Sequence, residues 1–107
     1  MVNDRDSDGD RWLIDSATEE LSRDSRDLGA LYERAGAYIN IGELENAIDD
    51  LNTAVQLIDE DAELDKTAKV FYLAMRAGAR EVLEDWESAV QDYTEIIGLG
   101  DHETDVF

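Results

Sequence analysis

Apolar residues return every three or four positions along most of the chain, and that spacing predicts helices. Trp12, Leu13, Ala17 and Leu21 recur at about one helical turn, which places a helix over 10–26. The polar stretch SRDSRD at 22–27 interrupts the run, and Asp27 is placed to cap the next helix. Leu28, Leu31, Ala35, Tyr38 and Ile41 then step by threes and fours along one helix face until Gly42 breaks it. After Glu43 and Leu44, a second face is formed by Ala47, Ile48, Leu51, Ala54, Val55 and Ile58. Two such helices joined by a short glycine turn read as an αα-hairpin. Beyond the acidic IDEDAE of 58–63, Leu64, Ala68, Phe71, Met75 and Gly78 share a stripe, and Glu84-Asp85 mark a turn. Trp86, Ala89, Val90, Tyr93, Ile96 and Ile97 build the next helix, which Gly98-Leu99-Gly100 stops. No stretch alternates as a strand would. The expectation is an all-α fold of about five helices.

The tetrapeptide Arg-Ala-Gly-Ala occurs twice, at 34–37 and at 76–79. Laying 34–55 over 76–97 needs no gap. Seven of the 22 positions are identical: the tetrapeptide, Glu45/Glu87, Ala47/Ala89 and Asp50/Asp92. Leu44/Trp86, Ile48/Val90, Leu51/Tyr93 and Val55/Ile97 match in kind. Small residues fall on small and large on large, as two copies of one packed hairpin require. The chain therefore reads as an internal duplication with a period of 42 residues.

The words YERAGAYINIGELENAIDDLNTAVQLI resemble a tetratricopeptide repeat. Ala35, Ala37, Tyr38, Gly42, Leu44, Ala47, Leu51 and Ala54 stand at the places that family fills with small, aromatic, turn and bulky residues. The second copy supplies Ala77, Ala79, Trp86, Ala89, Tyr93 and Ile96. It departs at Arg80, where an aromatic is expected, and at Glu84, where the turn glycine is expected. The resemblance covers residues 28–100 and implies tandem antiparallel helical hairpins in a right-handed superhelix. The period exceeds the family's. The excess lies in DAELDKTAK, which is expected to lengthen the first helix of the second copy by about two turns.

The expected organisation is a flexible acidic leader (1–9), a helix forming a degenerate half-repeat (10–26), a first repeat (28–59) and a second (60–100). A tail or the start of a further repeat occupies 101–107, where Thr104-Asp105-Val106-Phe107 echoes Ala68-Lys69-Val70-Phe71. A hairpin leaves an apolar face for its neighbour, so an uncapped end is expected to find a partner or a second copy.

Charge narrows the functions. The net charge is −19, and nine cations face 28 carboxylates. Such a surface repels phosphate backbones and anionic lipid and favours basic partners. The alternative is that the acidity suits a salty cytoplasm, where screening weakens self-repulsion. The longest apolar run, Val70 to Met75, is far short of the roughly 20 residues of a membrane span. The start lacks the basic and apolar segments of a signal peptide, so the cytoplasm is the expected location. There is no cysteine, hence no disulfide or thiolate chemistry.

Candidate chemistry is sparse. Asp4, Asp6, Asp8, Gly9, Asp10 and Asp15 occupy most positions of a calcium loop, with Arg11 where an aliphatic residue belongs. A calcium-binding leader is thus an alternative to a merely acidic one. His102 is the only histidine, and the residue four on is Val106, so the zinc-protease pair is absent. Ser7, Ser16, Ser22, Ser25 and Ser88 lie in no nucleophile context, and Gly98-Leu99-Gly100 lacks the rest of a dinucleotide loop. Asp49 and Asp50 are adjacent on a helix, point apart and are read as solvated. No catalytic residue, metal ligand or cofactor is expected, and the chain is read as no enzyme.

What remains is a surface. The family resemblance implies that the first helices line a concave groove holding a partner's peptide. The face of the first copy not used for the core carries Tyr32, Gly36, Ile39 and Asn40. The second copy offers Phe71, Ala74, Gly78, Glu81 and Val82. The competing arrangement has the lengthened helix and the N-terminal helix cover this groove themselves. The expected function is a non-enzymatic scaffold that binds a protein or peptide, basic or amphipathic. Self-assembly into homo-oligomers is the alternative. Arg34 and Arg76 are each expected to pair with a nearby carboxylate.

Overall fold

The computed structural model describes residues 3–100, with side chains from Asp8 onward. The tail 101–107, His102 included, lies outside the described residues, as do the side chains of Asp4 and Asp6. The described chain is all-helical: α1 (Asn3–Arg23), α2 (Leu28–Asn40), α3 (Leu44–Glu60), α4 (Lys69–Val82) and α5 (Trp86–Leu99). A single 3₁₀ turn, Lys66–Ala68, precedes α4. Each helix packs on the next, so α2–α3 and α4–α5 are two hairpins and α1 lies against α2.

Both hairpin turns use the same backbone device. The amide of Glu43 donates to the Tyr38 carbonyl at 2.8 Å, and that of Gly42 to Ile39 at 3.0 Å. In the second hairpin Asp85 donates to Arg80 at 2.8 Å and Glu84 to Glu81 at 2.9 Å. These bonds close the helix C-termini and need a left-handed residue at their centre. Gly42 supplies it at φ 84°; Glu84 adopts it at φ 62°, bearing the clash that a side chain brings. Asp27 caps α2 by accepting from the Ala30 amide.

The core runs between the hairpins. Ala35, Ala47, Leu51, Ala54, Ile58 and Leu73 are fully buried, with Leu31 and Tyr72 beside them. The alanines at 35, 37, 77 and 79 are all buried, which lets partner helices approach closely.

Three expectations are corrected. Helix α1 begins at Asn3, so from there on the expected leader is continuous with the helix expected over 10–26. Carboxylates at a helix N-terminus complement its dipole, and Asn40 of α2 donates to Asp10 at 3.2 Å. Asp8, Gly9, Asp10 and Asp15 therefore lie on a helix, where alternate residues diverge instead of converging on a calcium ion.

The second correction concerns the insertion, which does not lengthen a helix: α4 has 14 residues and α2 has 13. The extra residues form a loop held by side chains that compete with helical bonding. Asp65 accepts from the Thr67 amide at 2.9 Å, and the Lys66 ammonium donates to the carbonyls of Ile58 and Asp61 at the end of α3. Third, the buried side of α4 is Lys69, Tyr72, Leu73, Ala77 and Ala79; Phe71 of the expected stripe faces out.

Candidate interaction surfaces

Arg34 and Arg76 each close a clasp across three helices. From α2, Arg34 grips Asp50 of α3 with two bonds, Nε to Oδ2 at 2.8 Å and Nη2 to Oδ1 at 2.7 Å. Its Nη1 reaches back to the Thr18 hydroxyl of α1 at 2.9 Å. The Asp50 hydrogen bonds hold the Arg34 pKa up. From α4, Arg76 grips Asp92 of α5, with Nη2 to Oδ1 at 2.7 Å, and its Nη1 reaches back to Asn52 of α3 at 2.8 Å. The planar guanidinium fork matches a carboxylate in two parallel bonds, which fixes helix register as well as distance.

Both arginines thus pair with a carboxylate as expected. The reading of Asp50 as solvated is corrected: it is 5% exposed, and Asp92 is 2% exposed. Adjacency to Asp49 hid this, whereas the identity of Asp50 and Asp92 in the repeat was the usable signal.

The two copies differ around the clasp. In the first, Arg34 lies over the Tyr38 ring at 5.8 Å. In the second, Arg80 takes the place of that tyrosine and adds a further bond to Asp92 at 2.9 Å. Lys69, buried, joins Asp59 of α3 at 2.7 Å and Glu95 of α5. Burial alone would lower its pKa, but the hydrogen bonds to Asp59 and Glu95 prevail and raise it.

The expected groove residues are divided among these helices. Tyr32 of α2 meets Tyr72 of α4 edge-on, with centroids 5.5 Å apart and planes at 82°. With Gly29, Ala68 and Phe71 they line an open pocket of about 280 Å³. Burial pushes the Tyr72 phenol pKa up, and its hydroxyl donates to the Leu28 carbonyl at 3.3 Å. Gly36 and Gly78 are half-buried, and a Cβ at either would meet nothing within 4 Å. Ala74 is exposed, as is Val82 at the end of α4.

Three expected members serve the chain itself. Ile39 packs against the core, Asn40 is held by Asp10, and Glu81 accepts from the Tyr93 hydroxyl at 3.1 Å. That bond raises the Tyr93 pKa. Phe71 at 65% exposure is left uncovered, so neither α1 nor the insertion lies over this end of the face.

Tyr72 was not among the expected residues. Its counterpart 42 positions earlier is Ala30, and a tyrosine in an alanine's place was the available signal. Gly29, the counterpart of Phe71, was legible in the same way.

Among the described residues, no group of three or more His, Asp or Glu is placed to hold a metal ion. No helix there is long and apolar enough to cross a membrane. Comparison with family models, curated proteins and solved structures finds no match.

Proposed function

We propose that the chain is a non-enzymatic, tetratricopeptide-like interaction module that holds a peptide or helix of another protein on the face of α2 and α4. The observation carrying this reading is the aromatic pocket of Tyr32, Phe71 and Tyr72. Gly36, one turn after Tyr32 on α2, and Gly78, two turns after Phe71 on α4, continue the same helix faces with open Cβ positions. Aromatic groups on a charged surface supply contact area at low entropic cost, and the glycines let a ligand's backbone approach. The net charge of −19 favours a basic or amphipathic ligand in a cytoplasmic setting. The reading assigns the chain no catalytic group, metal or cofactor.

Affinity capture from native lysate at low and high salt, with wild type and Phe71→Ala in parallel, tests it. The expected result is a protein retained by wild type at low salt, weakened at high salt and lost with Phe71→Ala. Undiminished capture by Phe71→Ala contradicts the reading. Asn40→Ala is a poorer probe, because Asn40 also ties α2 to α1.

A further inference from the structure

Trp86, Val90, Tyr93 and Ile97 succeed one another at four, three and four residues along α5, a continuous helix face. They are 59%, 60%, 38% and 66% exposed. Their counterparts on α3 are Leu44, Ile48, Leu51 and Val55, of which Leu51 and Val55 are only 0% and 8% exposed. The difference is α4, which lies on α3 and inserts Tyr72 and Leu73 beside Leu51, Val55 and Ile58. The chain therefore shows on α3 what kind of element covers the Leu51–Val55 end of this stripe, while Leu44 and Ile48 stay half-exposed.

The covering element has a definite chemistry. Helix α3 carries five carboxylates (Glu45, Asp49, Asp50, Asp59, Glu60) and no cation. The segment laid on it, Lys66–Val82, carries four cations against one carboxylate. Lys69 of that segment reaches Asp59, and Arg76 reaches Asn52. Helix α5 repeats the acidic side of this pairing with three carboxylates and no cation: Glu87 is exposed, while Asp92 and Glu95 meet Arg76, Arg80 and Lys69 of α4, and Glu84 and Asp85 in the turn before it add to the charge.

A polar mark recurs as well. Arg34 of α2 donates to Thr18 of α1, and Arg76 of α4 donates to Asn52 of α3, in each case back to the preceding helix. The residue 42 positions after Asn52 is Thr94, exposed on α5.

We propose that the outer face of α5 is a second docking site, separate from the α2–α4 face, for a cationic amphipathic helix of another protein. The helix seats its apolar side on Trp86, Val90, Tyr93 and Ile97 and gives an arginine to the Thr94 hydroxyl. A second copy of the chain is a poor occupant. It brings a further charge of −19, and its own cationic helix is committed through Lys66, Lys69, Arg76 and Arg80 to internal partners.

The probe is a synthetic, end-blocked peptide of residues 66–82, titrated into the full chain carrying Trp12→Phe, which leaves Trp86 as the only tryptophan. Saturable change in Trp86 emission is expected. Val90→Asp or Ile97→Asp weakens binding by about tenfold or more, Thr94→Val by a few-fold, and Phe71→Ala leaves it unchanged. Both aspartates replace exposed side chains, so helicity by circular dichroism stays at the wild-type level.

Absence of a saturable change overturns the proposal. So does binding that survives both aspartates, because the peptide has then displaced the chain's own α4. Loss of binding with Phe71→Ala alone moves the site to the α2–α4 face. A concentration-dependent dimer abolished by Val90→Asp makes a second copy the occupant and overturns the proposal too.

Discussion

Asp92 is buried and binds two guanidinium groups, those of Arg76 and Arg80, whereas Asp50 binds that of Arg34. Removing a carboxylate from such a cluster leaves partly buried cations unpaired, which costs more than the intact pairs contribute. Asp92→Ala is expected to cost about 3–5 kcal/mol in urea unfolding. Asp50→Ala is expected to cost roughly 1.5–3 kcal/mol, because one cation is orphaned and Arg34 retains Thr18. Equal costs would mean that Arg80 adds nothing. Glu84 offers a second test. Its left-handed backbone is strained for a side chain and relaxed for glycine, as Gly42 shows in the same turn. Glu84→Gly is expected to stabilise by roughly 0.5–1 kcal/mol, and Gly42→Ala to destabilise by about 1 kcal/mol. A destabilised Glu84→Gly protein, by thermal melt, would show that the side chain contributes more than its strain costs.

The two hairpins were legible because apolar spacing and the duplicated RAGA words specify both helices of each and the register between them. Loop 61–65 and the 3₁₀ turn were not. Leu64 and Ala68 continue the helical stripe, but Asp65 and Lys66 bond the backbone locally and win. Spacing also misplaced the inner face of α4, because Lys69 and Arg76 turn inward to meet carboxylates on neighbouring helices. Of the candidate face, Tyr32 and Phe71 come together, while Asn40 and Glu81 bond within the chain; only packing across helices decides that. Lys69 ties α4 to both α3 and α5, and its pKa is raised. A raised folded-state pKa contributes stability that is fully present below the unfolded value of about 10.4 and is lost as pH rises through the folded one. Tyr72, also raised, acts in the same direction. Urea midpoints should therefore fall on the alkaline side of about pH 10. Lys69→Met should fall less steeply over that window; an identical slope would remove Lys69 from the account.

The molecule is drawn out, 51 × 32 × 21 Å, as expected when each helix meets mainly its neighbours. An elongated body with a charge of −19 repels itself at low salt. The buried clasps are screened little, while the exposed carboxylates are screened strongly. The melting temperature should rise between about 0.05 and 1 M NaCl, by about 4–8 °C for each kcal/mol of repulsion relieved. A flat or falling curve would place stability in exposed ion pairs. In the proposed function the same charge favours basic ligands for the α2–α4 face. The most direct measurement is a calorimetric titration of the captured partner's binding segment into wild type, Phe71→Ala and Val90→Asp. Binding through the α2–α4 face predicts a loss of about tenfold or more for Phe71→Ala and near-wild-type affinity for Val90→Asp. Wild-type affinity for Phe71→Ala would contradict it.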